Sequence, residues 1–253
     1  MSLAIDLGAK VVLLTGGSRG IGAAAVRALH EAGARVFFCY RQDEAEARRL
    51  EARLGANVAG RRCDIADPDA LPPLVTECVD RFGRIDVLVN NAAIFFDNPF
   101  DGDDYSAWRA LWQRTFAVNI FAAANLTWLV IRQMRAQGGG RIINIASRAA
   151  HRGEIMFADY GASKAALVNL TKSIARACAR DGVVSFCVAP GFIETDMARG
   201  ELAARRSEIE AEIPAGRIGT AADVAGIIAF LASGLADYSS GATIDVNGGS
   251  YVR

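Results

Sequence analysis

The chain has 253 residues, 52% of them hydrophobic, with 25 glycines and only 6 prolines. This is the composition of a compact chain able to bury a substantial core, and it excludes a disordered protein. Lys plus Arg and Asp plus Glu balance at 28 each, so there is no basic footprint for nucleic acid. No unbroken apolar run approaches the roughly 18–20 residues needed to span a bilayer. The run at 11–14 is too short for a signal segment. The expectation is a cytoplasmic protein with neither nucleic-acid nor membrane partners. Cys39, Cys63, Cys78, Cys178 and Cys187 form no C-x-x-C pair, and His30 and His151 supply no ligand spacing. The cysteines read as small apolar residues, and no metal is expected.

Short β-rich runs alternate with longer helical stretches. Residues 11–14 read as a buried strand, followed by the glycine turn at 15–22 and a helix over about 21–32 that Gly33 ends. A second strand at 36–39 leads into a charged amphipathic helix at 44–54, and a third strand covers 58–63. Asp67-Pro68 is a capping pair, but Pro72-Pro73 predicts a broken or late-starting helix running to about Phe82. Strands at 85–89 and 141–145 flank a long helical stretch over about 105–136. A helix at 158–180, a strand at 183–188, a helix at 221–232 and a strand at 243–246 complete the chain. This alternation predicts a Rossmann-type α/β fold: one doubly wound parallel sheet of about seven strands, helices on both faces, in a single domain over 1–253. Residues 194–214 lack core periodicity and follow a strand end, a placement that suits a mobile lid over a ligand crevice.

The turn Thr15-Gly16-Gly17-Ser18-Arg19-Gly20-Ile21-Gly22 lets the backbone approach a pyrophosphate, which the helix N-terminus then faces. The second strand ends in Tyr40-Arg41 where an NAD site places a carboxylate for the ribose 2′-hydroxyl. Arg41 and Arg19 suit a 2′-phosphate instead, so NADP(H) is expected over NAD(H). Asp64 and Asn90-Asn91-Ala92-Ala93 follow the third and fourth strands on the ligand edge of the sheet. Asp64 is placed to accept from the adenine amino group or to close an Asx turn.

Tyr160 and Lys164 lie one helical turn apart and share a helix face. A carbonyl that accepts hydride needs a proton for its oxygen, and a phenol beside an ammonium is a donor with its pKa drawn down toward neutrality. Ser147, after the fifth strand, is placed to hydrogen-bond the substrate oxygen.

Together with Asn119, these motifs make the chain resemble a short-chain dehydrogenase/reductase over essentially its whole length. The stretches Pro190-Gly191-Phe192-Ile193-Glu194-Thr195-Asp196-Met197, Ile213-Pro214-Ala215-Gly216-Arg217 and Val246-Asn247-Gly248-Gly249 look closest to the beta-ketoacyl-acyl carrier protein reductase branch. The resemblance implies a catalytic set of Asn119, Ser147, Tyr160 and Lys164, with Lys164 also holding the nicotinamide ribose and Asn119 anchoring a relay water. It implies cofactor contacts from Gly16, Ser18, Arg19, Gly20, Ile21, Gly22, Tyr40, Arg41, Asp64, Ile65, Asn91, Ala92, Ala93, Pro190, Gly191, Ile193, Thr195 and Met197. Ala93 stands where the family usually has glycine.

Substrate contacts are expected from Ser147, Arg148, His151, Phe157, Tyr160 and Phe192, with Phe95, Phe96, Met156 and Met197 in the pocket wall. Arg148 or His151 is a candidate reader of a carboxylate or phosphate. Trp108, Trp112 and Trp128 are expected to be packing residues. In the carrier-protein branch, basic residues beside the entrance dock the acidic carrier. Two of those positions fall on Gly138 and Asp181 here, with Arg135 and Arg180 nearby.

The expected function is NADP(H)-dependent interconversion of a small carbonyl and a secondary alcohol, by a homotetramer or homodimer. The alternatives are a carrier-protein reductase of fatty-acid or polyketide synthesis, and a non-catalytic NADP(H)-binding protein. A sugar-nucleotide epimerase or dehydratase is disfavoured, because the chain ends shortly after its last predicted strand.

Overall fold

The computed structural model describes residues 5–253. Seven parallel strands form one sheet in the order β3-β2-β1-β4-β5-β6-β7. They are β1 (Val11–Thr15), β2 (Arg35–Tyr40), β3 (Val58–Arg62), β4 (Val87–Asn90), β5 (Gly140–Ile145), β6 (Val183–Pro190) and β7 (Thr243–Val246). The connections carry α1 (Gly20–Glu31), α2 (Glu44–Leu54), α3 (Leu71–Phe82), α4 (Tyr105–Phe116), α5 (Ala122–Ala136), α6 (Ala149–Arg152), α7 (Ala158–Ala177), α8 (Arg199–Ala211) and α9 (Ala221–Ser233). This is the predicted Rossmann-type sheet, with strand ends shifted by a residue or two.

Both faces of the sheet are buried because successive strand residues point to opposite sides and both sets are apolar. Val12, Leu14, Val36 and Phe38 pack under α1, α2 and α9. Val11, Leu13, Phe37 and Leu88 pack under α3 and α5. Each fully buried Leu or Val contributes roughly 1.5–3 kcal/mol. The chain order reverses between β1, paired with β2 on one side, and β4 on the other. The turns after β1 and β4 therefore diverge and open a crevice at the carboxyl edge.

Local chemistry explains the irregular parts. Asp67 accepts a hydrogen bond from the Asp69 N–H at 3.0 Å and caps a short 3-10 turn. The helix α3 then starts late, as predicted, with Pro72 and Pro73 in a first turn where their missing N–H groups cost nothing. A π turn at Ala117–Phe121, not foreseen from the sequence, joins α4 to α5. The resulting helix is long and apolar enough, by length and composition alone, to cross a membrane. Counting unbroken apolar runs missed it, because scattered arginines interrupt the stretch. Its residues Leu126, Val130 and Met134 are buried in the core against the sheet.

One packing expectation needs correction. Trp128 is 61% exposed, with the Arg132 guanidinium 5.0 Å from its ring centroid. Trp108 and Trp112 are half-buried, 5.4 Å apart, in an aromatic ladder along the helix surface. Residues 194–214 form a 3-10 turn and the helix α8, kinked at Arg205. Leu202 and Ile209 pack with Ile213 and Ile218 in a separate small cluster. So few buried positions on one helix explain the weak periodicity.

Candidate active site

A cavity of about 800 Å³ runs along the carboxyl edge of the sheet. At one end it is lined by Gly16, Ser18, Arg19, Gly20, Ile21, Gly22, Tyr40, Arg41, Asp64 and Ile65. Asn91, Ala92 and Ala93 line its middle, with Pro190, Gly191, Ile193, Thr195 and Met197 opposite. Gly16 takes a left-handed φ of +72°, and a Cβ on Gly22 would lie 1.9 Å from the Gly16 carbonyl oxygen. Only glycine at both positions lets α1 start this close to the strand end. Arg19 supplies no side-chain cap to α1, so the first-turn N–H groups are left for an anion. The uncapped helix start and a cavity of this volume, lined from the glycine turn to Lys164, fit a dinucleotide.

The crevice is fastened by polar side chains from distant parts of the chain. Thr15 Oγ1 accepts from the Asn91 and Ala92 N–H groups, each at 3.0 Å. Asn91 Nδ2 donates to the Thr15 and Gly16 carbonyls at 2.9 and 3.1 Å. Deeper, Asn90 donates to Asn144 at 2.9 Å, and Asn144 donates to Thr171 at 2.9 Å. The sequence reading gave Thr15 only as the first residue of the glycine turn, and it missed Asn144 and Thr171. The available signal was asparagine inside two apolar strand runs, at positions that prove to be register partners.

The catalytic candidates converge at the other end. Ser147, Tyr160 and Lys164 line the cavity, but Asn119 does not. Asn119 sits in the π turn, 1% exposed. It accepts from the Ile94 N–H and donates to the Ile94 carbonyl, both at 2.9 Å, and donates to Ser163 Oγ at 3.1 Å. Ser163 Oγ in turn donates to the Tyr160 carbonyl at 2.7 Å. Asn119 therefore ties the loop after β4 to α7.

Lys164 Nζ donates to the Ile145 carbonyl at 2.7 Å and lies 5.6 Å from the Tyr160 ring centroid. Burial pushes the Tyr160 phenol up to about 12, against the opposing hydrogen bond with Ser147. Burial also brings Lys164 down to about 8. The lowered tyrosine pKa expected from Lys164 is thus not met. Desolvation of the phenolate dominates, and the ammonium is held by the strand carbonyl.

Among the expected substrate contacts, Arg148, Phe157 and Phe192 line the cavity, as do Phe95 and Met156. Two do not. His151 turns away to stack on Tyr251, ring centroids 6.0 Å apart, because α6 turns its side chain away from the cavity. Phe96 lies outside the cavity, 39% exposed, under the Arg114 guanidinium. The cofactor end also holds a carboxylate after all. Asp43, at the start of α2, lines the cavity and pairs with Arg19 at 3.3 Å. Asp64 closes the Asx turn, accepting from the Ala66 N–H at 3.1 Å. Glu154, Glu201 and Glu212 line the catalytic end and were not foreseen.

The family model described as Enoyl-(Acyl carrier protein) reductase matches residues 16–251. The 3-oxoacyl-[acyl-carrier-protein] reductase of Vibrio cholerae is 38% identical over 248 residues, 98% of this chain and 100% of the relative. That of Escherichia coli is 38% identical over 243 residues, 96% of this chain and 98% of the relative. A sorbitol dehydrogenase of Cereibacter sphaeroides is 36% identical over 261 aligned positions, 97% of this chain and 99% of the relative. With the parallel sheet, the glycine turn and the Tyr160–Lys164 helix, these likenesses settle the family. The chain belongs to the short-chain dehydrogenase/reductase family, on its beta-ketoacyl-acyl carrier protein reductase-like branch, and is an NADP(H)-dependent oxidoreductase.

Proposed function

We propose that the enzyme reduces a free small or medium carbonyl compound to a secondary alcohol, and runs the reverse reaction, with Tyr160 as general acid/base. The observation that carries this reading is the shared cavity wall of Ser147, Tyr160 and Lys164. The glycine turn and Thr195 line the part of the cavity that would hold NADPH, which when bound would supply the hydride. The Ser147 hydroxyl holds the carbonyl oxygen as negative charge develops there. With its pKa near 12, Tyr160 keeps its proton at neutral pH and is a ready donor to that oxygen. The Lys164 ammonium, protonated below about pH 8, offsets the charge left on the phenolate. Asn119 positions this machinery through Ile94 and Ser163. The segment around α8 acts as the lid of one catalytic domain. The protein works as a cytoplasmic homo-oligomer, with no nucleic-acid or membrane partner.

The relatives' names divide on substrate. At 36% to 38% identity they include carrier-protein reductases and a sorbitol dehydrogenase. A free substrate is favoured by the candidate carrier-docking positions, which lie just ahead of β5 and β6 and off the cavity wall: Gly138 is uncharged, and Asp181 is acidic and binds Arg135 at 2.7 Å. The test is NADPH oxidation, with NADH in parallel, across beta-ketoacyl thioesters, free ketones, quinones, and keto sugars and acids. Turnover of free carbonyls supports the proposal. Turnover confined to thioesters moves the assignment to the carrier-protein reductase. NADPH binding with no turnover anywhere revives a non-catalytic cofactor-binding protein.

A further inference from the structure

The arginines at the catalytic end of the cavity differ in one respect. Arg152 pairs with Glu154 at 3.3 Å, and Arg205 pairs with Glu208 at 2.7 Å. Arg148 is 5% exposed, and among the described residues no hydrogen-bond acceptor or carboxylate engages its guanidinium. It lies over the Phe192 ring, 4.6 Å from the centroid, and both residues line the cavity. The backbone fixes this placement, because the Arg148 N–H donates to the Pro190 carbonyl at 2.9 Å. Burial holds the guanidinium below its ordinary range, with the like charge of Arg152 as the next cause. Glu154, Glu201 and Glu212 act in the opposite sense without reaching ion-pair distance. A buried, unpaired charge is costly unless an anion meets it, and an arginine stacked on a ring still presents its fork in plane.

We propose that Arg148 reads a carboxylate on the substrate, so that the enzyme interconverts oxo acids and hydroxy acids. This rests on the carbonyl-reductase reading above. Arg148 directly follows Ser147, with Cα atoms about 3.8 Å apart. Ser147 and Arg148 both line the cavity, so one substrate can present its carbonyl to the first and its carboxylate to the second, and the spacing of the two groups is read from the chain lengths below. In the reduction, the carbonyl carbon gains hydride from NADPH and its oxygen gains the Tyr160 proton. The carboxylate is unchanged, and NADP+ leaves. Glu201 and Glu212 are the rival partners for Arg148, through closure of α8.

Kinetics with NADPH on pyruvate, acetoacetate and 4-oxopentanoate, each beside its methyl ester, test the proposal. In at least one pair the acid should exceed the ester in kcat/KM by roughly tenfold to 100-fold, the range of a charge-assisted hydrogen bond. Arg148→Gln should bring that ratio to about one, and Arg148→Lys should restore part of it. A second arm needs no turnover: thermal shift of the NADP+ complex with hexanoate against hexanamide. Hexanoate should stabilise the wild-type complex, hexanamide should not, and Arg148→Gln should lose the difference. That result with no carbonyl reduced sinks the reductase reading but leaves the anion site standing. Equal loss on acid and ester in Arg148→Gln overturns the proposal in favour of pairing with α8. Absence of any carboxylate preference in both arms of the wild type also overturns it, whether or not the variants fold.

Discussion

The two ends of the cavity are built on different principles. The cofactor end is made of backbone: a left-handed glycine, an uncapped helix start, and half-buried or exposed charges such as Arg19, Arg41 and Asp43. The catalytic end is backed by buried polar side chains, Asn119, Asn144, Ser163, Lys164 and Thr171. Backbone turns tolerate solvent and depend on neighbours in sequence. A buried polar ladder works only if every partner is present, because an unpaired member costs more than the bond it would make. Substitutions at the cofactor end should therefore alter binding while sparing the fold. At the catalytic end they should alter turnover and stability together.

The largest effect is expected from Tyr160→Phe. Removing the proton donor should lower kcat on the order of 10²- to 10⁴-fold, while NADPH binding, followed by nicotinamide fluorescence, stays close to wild type. Wild-type-like turnover would remove Tyr160 from the mechanism. Next is Asn144→Ala, which strips partners from Asn90 and Thr171. It should cost on the order of 2–3 kcal/mol in denaturant unfolding. A cost as small as that of a surface substitution would break the contrast between the two ends.

Lys164→Met sharpens the contrast differently, since function and stability should move in opposite directions. Turnover should collapse. The protein should gain on the order of 1–2 kcal/mol at pH 7, because a buried charge is replaced by an apolar chain of similar length. The sign follows from the folded pKa of about 8 lying below the ordinary lysine value of 10.5. Between these values the unfolded chain binds the extra proton, so wild-type stability rises with pH. The variant's advantage should be full below pH 8 and fade toward pH 10.5. In the wild type, carbonyl reduction should fall as pH rises through about 8, where the ammonium that offsets the phenolate charge is lost, whereas the phenolate that alcohol oxidation needs forms only toward about 12. A variant less stable than wild type at pH 7 would mean the Lys164–Ile145 hydrogen bond outweighs desolvation.

The same division decided what could be read from the sequence. The sheet, the glycine turn and the one-turn spacing of Tyr160 and Lys164 are local patterns, and they were legible. Whether the proline pair would delay α3 also turned on neighbouring residues, because the first turn of a helix has no N–H bonds to lose. The Asn90–Asn144–Thr171 ladder was not legible, because it joins three separated elements and each member alone looks like an odd polar residue in a core run. The direction of the His151 side chain depends on how the four-residue helix α6 is oriented, which no periodicity reports. Asp43 was overlooked because a carboxylate was sought at the strand end, whereas the chain brings it back at the helix start.

Asp43 also sets the smallest and most discriminating test. Arg19 and Arg41 both line the cofactor end, but Arg19 is paired with Asp43, while no carboxylate pairs with the Arg41 side chain among the described residues. Arg41 should then carry most of the selectivity. Arg41→Asp should shift the NADPH-to-NADH preference by about tenfold to 100-fold, the size of a lost charge-assisted contact. Asp43→Asn should instead release Arg19 and tighten NADPH by only a few-fold, since an exposed ion pair is worth about 0.2–1 kcal/mol. That gain should shrink with added salt. Kd values for both cofactors at low and high ionic strength separate the cases. If Asp43→Asn strengthens NADH as much as NADPH, the freed arginine is not meeting a 2′-phosphate, and Asp43 acts only on the start of α2. If it strengthens NADPH alone, the carboxylate is a brake on the phosphate site, and the two arginines are unequal because one is already occupied.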